Sequence, residues 1–335
     1  MSPRARICPV FVPHLGCPHR CVFCDQNTIS GAAAPADAET VRRALAGISG
    51  PAAETELAFY GGSFTAVPER VQRELLDAAA DHVAAGGAIR VSTRPDAVTE
   101  ENLSFLKAKG VRTVELGCQS MDDGVLLASR RGHTARDVRT AAALVKRAGL
   151  RLILQMMTGL PGDTEEKTLA TARELAALEP DGVRIYPAVI LKGTELYRMW
   201  KAGEYREHTV EEAARWCAAV LPVFEERGIP VIRLGLNPSE ELSGGLAAGG
   251  AYHPAFGQVV ASLRFLEAER RLLADGPDAG EADILVHPSR LSEAAGHGGS
   301  NRKALAREFP GTKLRFLPDG TLPEGGIAVE IRRRG

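Results

Sequence analysis

The chain lacks a surplus of either charge. Its 41 Lys and Arg meet 42 Asp and Glu, for a formal net charge of −1. Recruitment of nucleic acid by bulk charge is thereby excluded, although a local basic site is not. Also missing is any apolar run approaching the roughly 18–20 residues of a membrane-spanning helix. The opening Met1-Ser-Pro-Arg-Ala-Arg-Ile-Cys-Pro-Val-Phe-Val has too short an apolar stretch, and no small-residue cleavage pattern, for a signal peptide. These absences lead us to expect a cytoplasmic protein with no membrane segment. There is no internal repeat and no low-complexity tract. A content of 44% hydrophobic and 25% charged residues is that of an ordinary globular chain and argues against disorder. Cysteine is scarce, at six residues in 335. Six could form three disulfides, but without a secretion signal they read as free, metal-bound or catalytic.

What is present is alternation. β-rich runs at Arg6–Val12, Glu56–Tyr60, Ala88–Ser92, Arg112–Leu116, Arg151–Met156, Gly182–Tyr186 and Pro230–Leu234 are separated by helical patterns. Pro68 opens one helix, Val71, Leu75, Ala79 and Val83 repeat along it, and Gly86-Gly87 stops it. Thr134 can cap a second, with Val138, Ala142 and Val145 inward and Gly149 at its end. Asp163-Thr164 can cap a third, with Leu169, Ala172 and Leu175 inward. Strands alternating with helices imply a parallel sheet, because parallel neighbours need crossover connections. Periodicity alone leaves an open doubly wound sheet and a barrel equally good. Asn237–Pro254, with Gly244-Gly245 and Gly249-Gly250, reads as a loop or lid. A helix over Ala255–Leu273 is expected to bury Val259, Leu263, Leu266 and Leu273, and Asp275–Asp283 reads as a linker. The expected divisions are 1–235, a lid, helix and linker over 236–282, and a small unit at 283–335.

The strongest chemical signal is Cys17-Pro-His-Arg-Cys21-Val-Phe-Cys24, a C-x3-C-x2-C spacing directly after the first strand. Thiolates this close can reach a common centre, and soft sulfur ligands select iron–sulfur clusters or zinc. For a cubic 4Fe–4S cluster, three ligands leave one iron open to something that reacts. A zinc knot completed by His14 or His19 is the competing reading. Cys8, Cys118 and Cys217 have no such context and read as core residues.

At this point the sequence resembles the radical S-adenosylmethionine superfamily, which binds its cluster with this spacing and commonly places an aromatic residue before the last cysteine, as Phe23 is here. Tyr60-Gly61-Gly62-Ser63-Phe64-Thr65, Ser92-Thr-Arg-Pro-Asp96, Glu115-Leu-Gly-Cys-Gln-Ser120, Arg131-Gly-His-Thr134 and Met157-Thr-Gly-Leu-Pro-Gly-Asp163 follow in order. That series is similar to the radical domain of the catalytic subunit of Elongator, a wobble-uridine tRNA modification enzyme, and more loosely to oxygen-independent coproporphyrinogen oxidase. It covers roughly residues 7–235. Each motif falls just beyond a strand's C-terminal end, where parallel α/β architectures place their chemistry. The resemblance implies a partial (β/α)6-type TIM barrel, a [4Fe-4S] cluster on Cys17, Cys21 and Cys24, and S-adenosylmethionine as cofactor. It further implies that Gly61, Gly62 and Ser63 hold the methionyl amino group, that Ser92 and Gln119 contact the ribose, and that Arg131 meets the carboxylate. Thr158, Gly159 and Leu160 would border the adenine. Relatives often have Glu where Ser92 stands. An external one-electron reductase such as flavodoxin or ferredoxin would supply the cluster.

Residues 283–335 read as a strand at Ile284–His287, a helix at Pro288–Ala295, the loop Gly296-His297-Gly298-Gly299, a helix at Arg302–Phe309 and strands near Lys313–Leu317 and Ile327–Ile331. This α+β order resembles a minimal KH domain, whose GxxG loop clamps single-stranded nucleic acid. Nine basic against six acidic residues give the segment a net charge of +3. Gly296, His297, Gly298, Gly299, Arg302 and Lys303 are the expected RNA contacts. Tyr252 and His253 could line a substrate pocket or pack the lid. The expected function is therefore radical modification of RNA, most plausibly tRNA. The alternatives are a radical enzyme for a small molecule or tetrapyrrole, with the last segment as a lid, and a zinc-stabilised RNA-binding protein. Only about 100 residues follow the barrel, so no acyl-transferase domain like that of the Elongator subunit is expected.

Overall fold

The computed structural model describes residues 6–26, 36–239, 242–274 and 280–332. Contacts divide the chain into two compact units, one running to Thr209 and resuming over Val220–Tyr252, the other comprising Val210–Ala219 and the residues from His253 onward. The break at Tyr252/His253 replaces the expected divisions at 235 and 282. The glycine-rich stretch goes with the first unit and the long helix after it with the second.

In the first unit seven strands form one sheet: β1 (Arg6–Phe11), β2 (Thr55–Tyr60), β3 (Ala88–Thr93), β4 (Val111–Gln119), β5 (Arg151–Thr158), β6 (Gly182–Pro187) and β8 (Val231–Leu234). Their spatial order is β1-β2-β3-β4-β5-β6-β8, and every neighbouring pair is parallel. A doubly wound sheet reverses its order at a switch point; here each crossover steps the same way, which keeps the helices on one face and curls the sheet into a half-barrel. The strand pattern of the sequence is thus matched in all seven places. β1 and β8 are not paired with each other.

Side-chain alternation divides the sheet. Leu57 and Phe59, Ile89 and Val91, Val114 and Leu116, Leu152 and Leu154, and Val183 and Ile185 are buried in the core. The alternate set, including Tyr60, Ser92, Glu115, Gln119, Gln155, Arg184 and Tyr186, lines a cavity of about 740 Å³.

The helices follow local chemistry closely. Helix α1 (Ala38–Ala46) starts on Asp37, whose carboxylate accepts from Thr40 N–H. The expected helix after Pro68 forms as two, α2 (Glu69–Asp77) and α3 (Ala80–Ala84), with the backbone relaxing at Ala79 (φ −101°, ψ 6°). The offset places His82 over Gly87 and Val83 over Gly110, where an added Cβ would come within 2.3 and 2.6 Å. Helices α4 (Glu100–Ala108) and α5 (Asp123–Ala128) are capped by Thr99 and Asp122. Helix α6 (Ala135–Arg147) has the expected Thr134 cap, completed by Asp137 as a capping box. Helix α7 (Glu165–Ala177) starts from Thr164, and it buries Thr168 and Thr171 while Leu169 stays half-buried. Helices α8 (Glu195–Lys201) and α9 (Val210–Glu225) complete the series before β8.

The glycine-rich stretch is not only a loop. Within it β9 (Ala247–Gly250) pairs antiparallel with β7 (Val189–Leu191). A Cβ at Gly250 would stand 2.7 Å from the Ala188 carbonyl oxygen, so close approach requires glycine there, and small residues hide the strand from any alternation test.

The second unit packs α10 (Phe256–Ala274), α11 (Leu291–Ala295) and α12 (Ser300–Glu308) against a three-stranded sheet, in which β10 (Glu281–Val286) lies between parallel β11 (Lys313–Pro318) and antiparallel β12 (Ile327–Arg332). The linker thus gives way to strand at Glu281, with 275–279 outside the described residues. The expected stripe on the long helix holds in part: Leu273 is buried and Leu266 packs against the core, but Phe256, Val260, Phe265 and Glu269 take the buried positions while Val259 and Leu263 are partly exposed. The core comprises Phe265, Leu273, Ala282, Ile284, Val286, Ala294, Leu305 and Phe316. Among the described residues no helix is long and apolar enough to cross a membrane.

Candidate functional site: a three-cysteine loop over the mouth of the half-barrel

The cysteine loop leaves β1 and is held by backbone contacts to the loop after β2. Val12 N–H donates to the Tyr60 carbonyl (2.7 Å), His14 N–H to that of Gly61 (2.9 Å), and Ser63 N–H to that of Leu15 (2.8 Å). Two glycines make this stacking possible. A Cβ on Gly62 would lie 2.5 Å from the carbonyl oxygens of Val12 and Leu15, and one on Gly16 (φ +72°) would lie 2.2 Å from that of Ser63. Farther along, Val22 is clasped from both sides: its N–H donates to Ser129 O (3.2 Å) and its carbonyl accepts from Leu196 N–H (2.7 Å).

Cys17, Cys21 and Cys24 all line the cavity. Arg131 reaches them from the turn after α5, donating Nη1–H to Cys21 Sγ (3.0 Å) and Nη2–H to Gly117 O (2.6 Å). Gln26 Nε2–H points at Cys24 Sγ (3.6 Å). Burial, reinforced by Cys21, pushes the Cys24 thiol up to about 12 and raises Cys17. Thiolates crowded around one cavity repel one another, and a cationic metal group offsets that repulsion. The donor set therefore fits an iron–sulfur cluster. It does not favour a zinc knot. His14 Nε2 already accepts from Gln26 N–H (3.0 Å), and His19 lies exposed beside Gly132.

Six of the ten residues expected around the cofactor line this cavity: Phe23, Gly61, Gly62, Ser92, Gln119 and Arg131. Gln119 is held at φ +67° where β4 bulges against β5, and its Oε1 accepts from Gln155 Nε2 (3.3 Å). A non-glycine residue in that conformation at a cavity wall is backbone strain kept at a working position. Ser63, Thr158, Gly159 and Leu160 do not line it. Ser63 is fully buried, with its hydroxyl on Thr93 Oγ1 (3.0 Å), tying the β2 loop to the end of β3. Thr158 lies 3.4 Å from His208 Nε2, Gly159 O accepts from Tyr205 O–H (2.6 Å), and Leu160 is core. Tyr252 and His253 are also outside the lining. The Tyr252 hydroxyl meets Ser243 Oγ (2.9 Å) and its ring packs with Val189, Leu191 and Leu242, while His253 Nδ1 accepts from Ala255 N–H (3.1 Å).

Sequence reasoning overlooked the polar interior beneath the cysteines. Arg94 forks onto Asp96 (both contacts 3.0 Å). Deeper, Arg90 donates to Glu56, Arg184 Nε stands 3.0 Å from Glu115 Oε2, and Arg184 reaches the hydroxyls of Tyr60 (2.8 Å) and Tyr186 (3.2 Å). Spacing by two within strands, as in Glu115/Gly117/Gln119 and Arg184/Tyr186, was the available signal. Near the cysteine loop, burial and Arg131 lower His133 to about 4, so it stays neutral, with its Nε2 3.1 Å from Cys118 O. Cys8, Cys118 and Cys217 are buried.

In the second unit the Gly296–Gly299 loop joins α11 to α12. Gly296, Gly298 and Gly299 have φ of +79°, +57° and +74°, and nothing lies within 4 Å of a Cβ built on Gly298 or Gly299. His297 is exposed, Lys303 Nζ donates to Gly298 O (3.1 Å), and the Arg302 guanidinium lies 5.3 Å from the Phe316 ring centroid.

Comparison with known proteins covers the first unit and reaches into the second. Residues 11–175 match the Radical SAM superfamily and residues 180–264 match the Radical_SAM C-terminal domain. The chain belongs to the radical SAM superfamily. A tRNA uridine(34) acetyltransferase of Methanocaldococcus jannaschii is 38% identical over 129 residues, which is 38% of this chain and 24% of that protein. Elongator complex protein 3 of Homo sapiens is 31% identical over 195 residues, 50% of this chain and 36% of that protein. The matched stretches thus span about a quarter to a third of these curated relatives. Among solved structures, the archaeal Methanocaldococcus infernus Elp3 aligns with a TM-score of 0.62 at 23% identity, over 81% of this chain and 64% of that one. Coproporphyrinogen III oxidase from Escherichia coli aligns at 0.52 and 16% identity, over 68% and 54%. These likenesses support the half-barrel fold. Radical SAM proteins use a [4Fe-4S] cluster and S-adenosylmethionine, which agrees with the donor set at the cavity mouth.

Proposed function

We propose that this chain is a radical SAM enzyme of the cytoplasm that modifies tRNA. The observation that carries it is that Cys17, Cys21 and Cys24 line one cavity with Arg131, which bonds Cys21, at the strand ends of a parallel half-barrel. When bound, the cluster and S-adenosylmethionine supply a 5′-deoxyadenosyl radical that takes a hydrogen atom from the substrate. The chain's own part is binding and exclusion. Cys17, Cys21 and Cys24 would hold the cluster. Arg131, fixed by Gly117 O, presents a guanidinium to the carboxylate. Gly61 offers backbone without a side chain in the way, and Ser92 and Gln119 offer hydrogen bonds to the ribose. Ser63 and Thr158–Leu160 act from behind, bracing the loops that carry these contacts. A one-electron carrier such as flavodoxin or ferredoxin supplies the reducing equivalent.

The tRNA substrate is supported by the names of the curated relatives and by the open Gly296–Gly299 loop with Lys303 beside it, a geometry that lets a sugar–phosphate backbone approach. The decisive test is anaerobic reconstitution. Brown protein with roughly four irons per chain should cleave S-adenosylmethionine reductively. Mass spectrometry of tRNA nucleosides from a deletion strain should show one missing modification. Colourless, zinc-loaded protein would sink the radical chemistry. Active protein with unchanged tRNA would move the substrate to a small molecule or tetrapyrrole.

A further inference from the structure

Besides the cysteines, the cavity is lined by a second polar group with a distinctive donor arrangement. Arg184 is its centre. Its two terminal nitrogens donate to Tyr186 (Nη1, 3.2 Å) and Tyr60 (Nη2, 2.8 Å), and the guanidinium carbon also lies 5.4 Å from the Tyr60 ring centroid. Both phenol oxygens are thus spent as acceptors, which leaves each O–H free to donate. Among the described residues no acceptor meets either one. Both rings line the cavity, as do Arg184 and Glu115. Burial raises both phenols, so they stay protonated. Two half-buried phenols that hang from one guanidinium on a cavity wall, each with a donor to spare, point to a ligand that accepts.

Charge decides what kind of acceptor. The guanidinium groups of Arg90 and Arg184 face the carboxyls of Glu56 and Glu115: Arg90 bonds Glu56 at 2.5 Å, and Glu115 stands 3.6 Å from Arg90 and 3.0 Å from Arg184. These four charges balance, and Arg233, which also lines the cavity, has its guanidinium spent on the carbonyls of Gly235 (2.9 Å) and Leu236 (2.8 Å). Phosphate and carboxylate are disfavoured there, because a buried anion needs a matching charge. A neutral carbonyl, whose oxygen takes two donors along its lone pairs, suits the site.

We propose that Tyr60 and Tyr186 form a carbonyl-binding subsite, polarised by Arg184, that holds a neutral carbonyl of the substrate in the cavity that the cysteines line. The proposal rests on the radical SAM reading for its role, and deepens it by naming the ligand chemistry. Two sources present such a group: a pyrimidine ring of RNA and a thioester.

The test is equilibrium dialysis of the reconstituted full-length protein with uridine in one arm and acetyl-coenzyme A in the other, comparing wild type with Tyr60→Phe/Tyr186→Phe. Loss of two hydrogen bonds should weaken the bound ligand at least about tenfold, and the arm that responds identifies the source. Iron content reports whether the double variant has folded. If it has not, Tyr186→Phe alone is the variant to judge, since the loop after β2 that cradles the cysteines leaves from Tyr60. Affinity unchanged in the folded variants, or no millimolar binding of either probe to wild type, overturns the subsite. Phenol-dependent binding with unaltered tRNA would leave the subsite standing and remove only the tRNA substrate.

Discussion

Glu269 makes a sharp prediction because it breaks a rule of protein interiors. It lies on α10 between the buried Phe265 and Leu273, has 0% exposure, and among the described residues neither carboxyl oxygen has a hydrogen-bond partner. The neighbouring Arg270 turns away to fork onto Glu308 (2.8 and 2.6 Å). With nothing opposing desolvation, burial pushes Glu269 from 4.5 to about 8. Below pH 4.5 the carboxyl is protonated in both folded and unfolded chains, and costs nothing by ionisation. Between 4.5 and 8 the unfolded chain gives up a proton that the folded chain keeps, so stability falls as pH rises. Above 8 the full difference is lost. At 1.36 kcal/mol per unit, that is roughly 3 kcal/mol at pH 7 and about 5 kcal/mol above pH 8. Replacement by a hydrocarbon of similar size removes the penalty. Glu269→Leu should therefore stabilise the protein at pH 7 by about 3 kcal/mol, a rise in Tm on the order of 10 °C for a small domain. Most core substitutions do the opposite. Calorimetry of both proteins from pH 5 to 9 provides the assay. Asp163, which burial raises to about 6, titrates in both and cancels from the difference. A variant whose Tm tracks wild type in parallel across this range, or falls below it at pH 7, would refute the reasoning.

Gly62→Ala forces a Cβ to within 2.5 Å of two loop carbonyl oxygens, so the cysteine loop must shift; the variant should cost roughly 1–3 kcal/mol and bind well under half the iron of wild type. Arg131→Lys keeps the charge but cannot bridge Cys21 and Gly117 together, and should slow S-adenosylmethionine cleavage by roughly 10–100-fold; a rate within twofold of wild type would remove Arg131 from the cofactor site. Gly298→Asp with Gly299→Asp places two negative charges in open space beside Lys303. Filter binding of tRNA at low salt should weaken on the order of tenfold, and salt-insensitive, unchanged binding would count against an RNA role for this loop.

Much of the first unit was legible because its signals are local. β-rich runs bounded by helical patterns mark the seven strands, Thr134 and Thr164 start their helices, and the cysteine spacing announces a metal group by itself. What stayed hidden was choice among faces. Of the stripe Val259, Leu263, Leu266 and Leu273 expected along α10, Leu273 is buried, but Phe256, Val260, Phe265 and, in the run Glu267-Ala-Glu-Arg-Arg, Glu269 take the other buried places. Nothing local says that one of two carboxylates is buried; that is settled by the sheet packed against it. The strand at Ala247–Gly250 was missed for the converse reason, since a strand without side chains has no pattern to show.

The cofactor motifs illustrate a subtler gap. Ser63, Gly62, Thr158 and Gly159 belong to motifs that a resemblance links to the cofactor, yet the geometry gives each a mechanical duty. Gly62 stands beneath two carbonyls of the cysteine loop, Ser63 bonds Thr93, and the Thr158–Gly159 turn is held by His208 and Tyr205. A motif marks where a chain must be shaped, and shaping includes the layer behind the contacting surface. The polar interior shows the complementary case: Arg184 and Tyr186 occur in a strand that composition assigns to a core and belong to no motif, and Glu115 opens the motif Glu115–Ser120 without an expected role of its own. Their period of two places them on the concave face together with Gln119 and Gln155. In a parallel barrel whose interior were only packing, those positions would be branched apolar residues. Charged and phenolic groups there cost desolvation that packing alone would not offset, so their placement argues for a ligand in the interior.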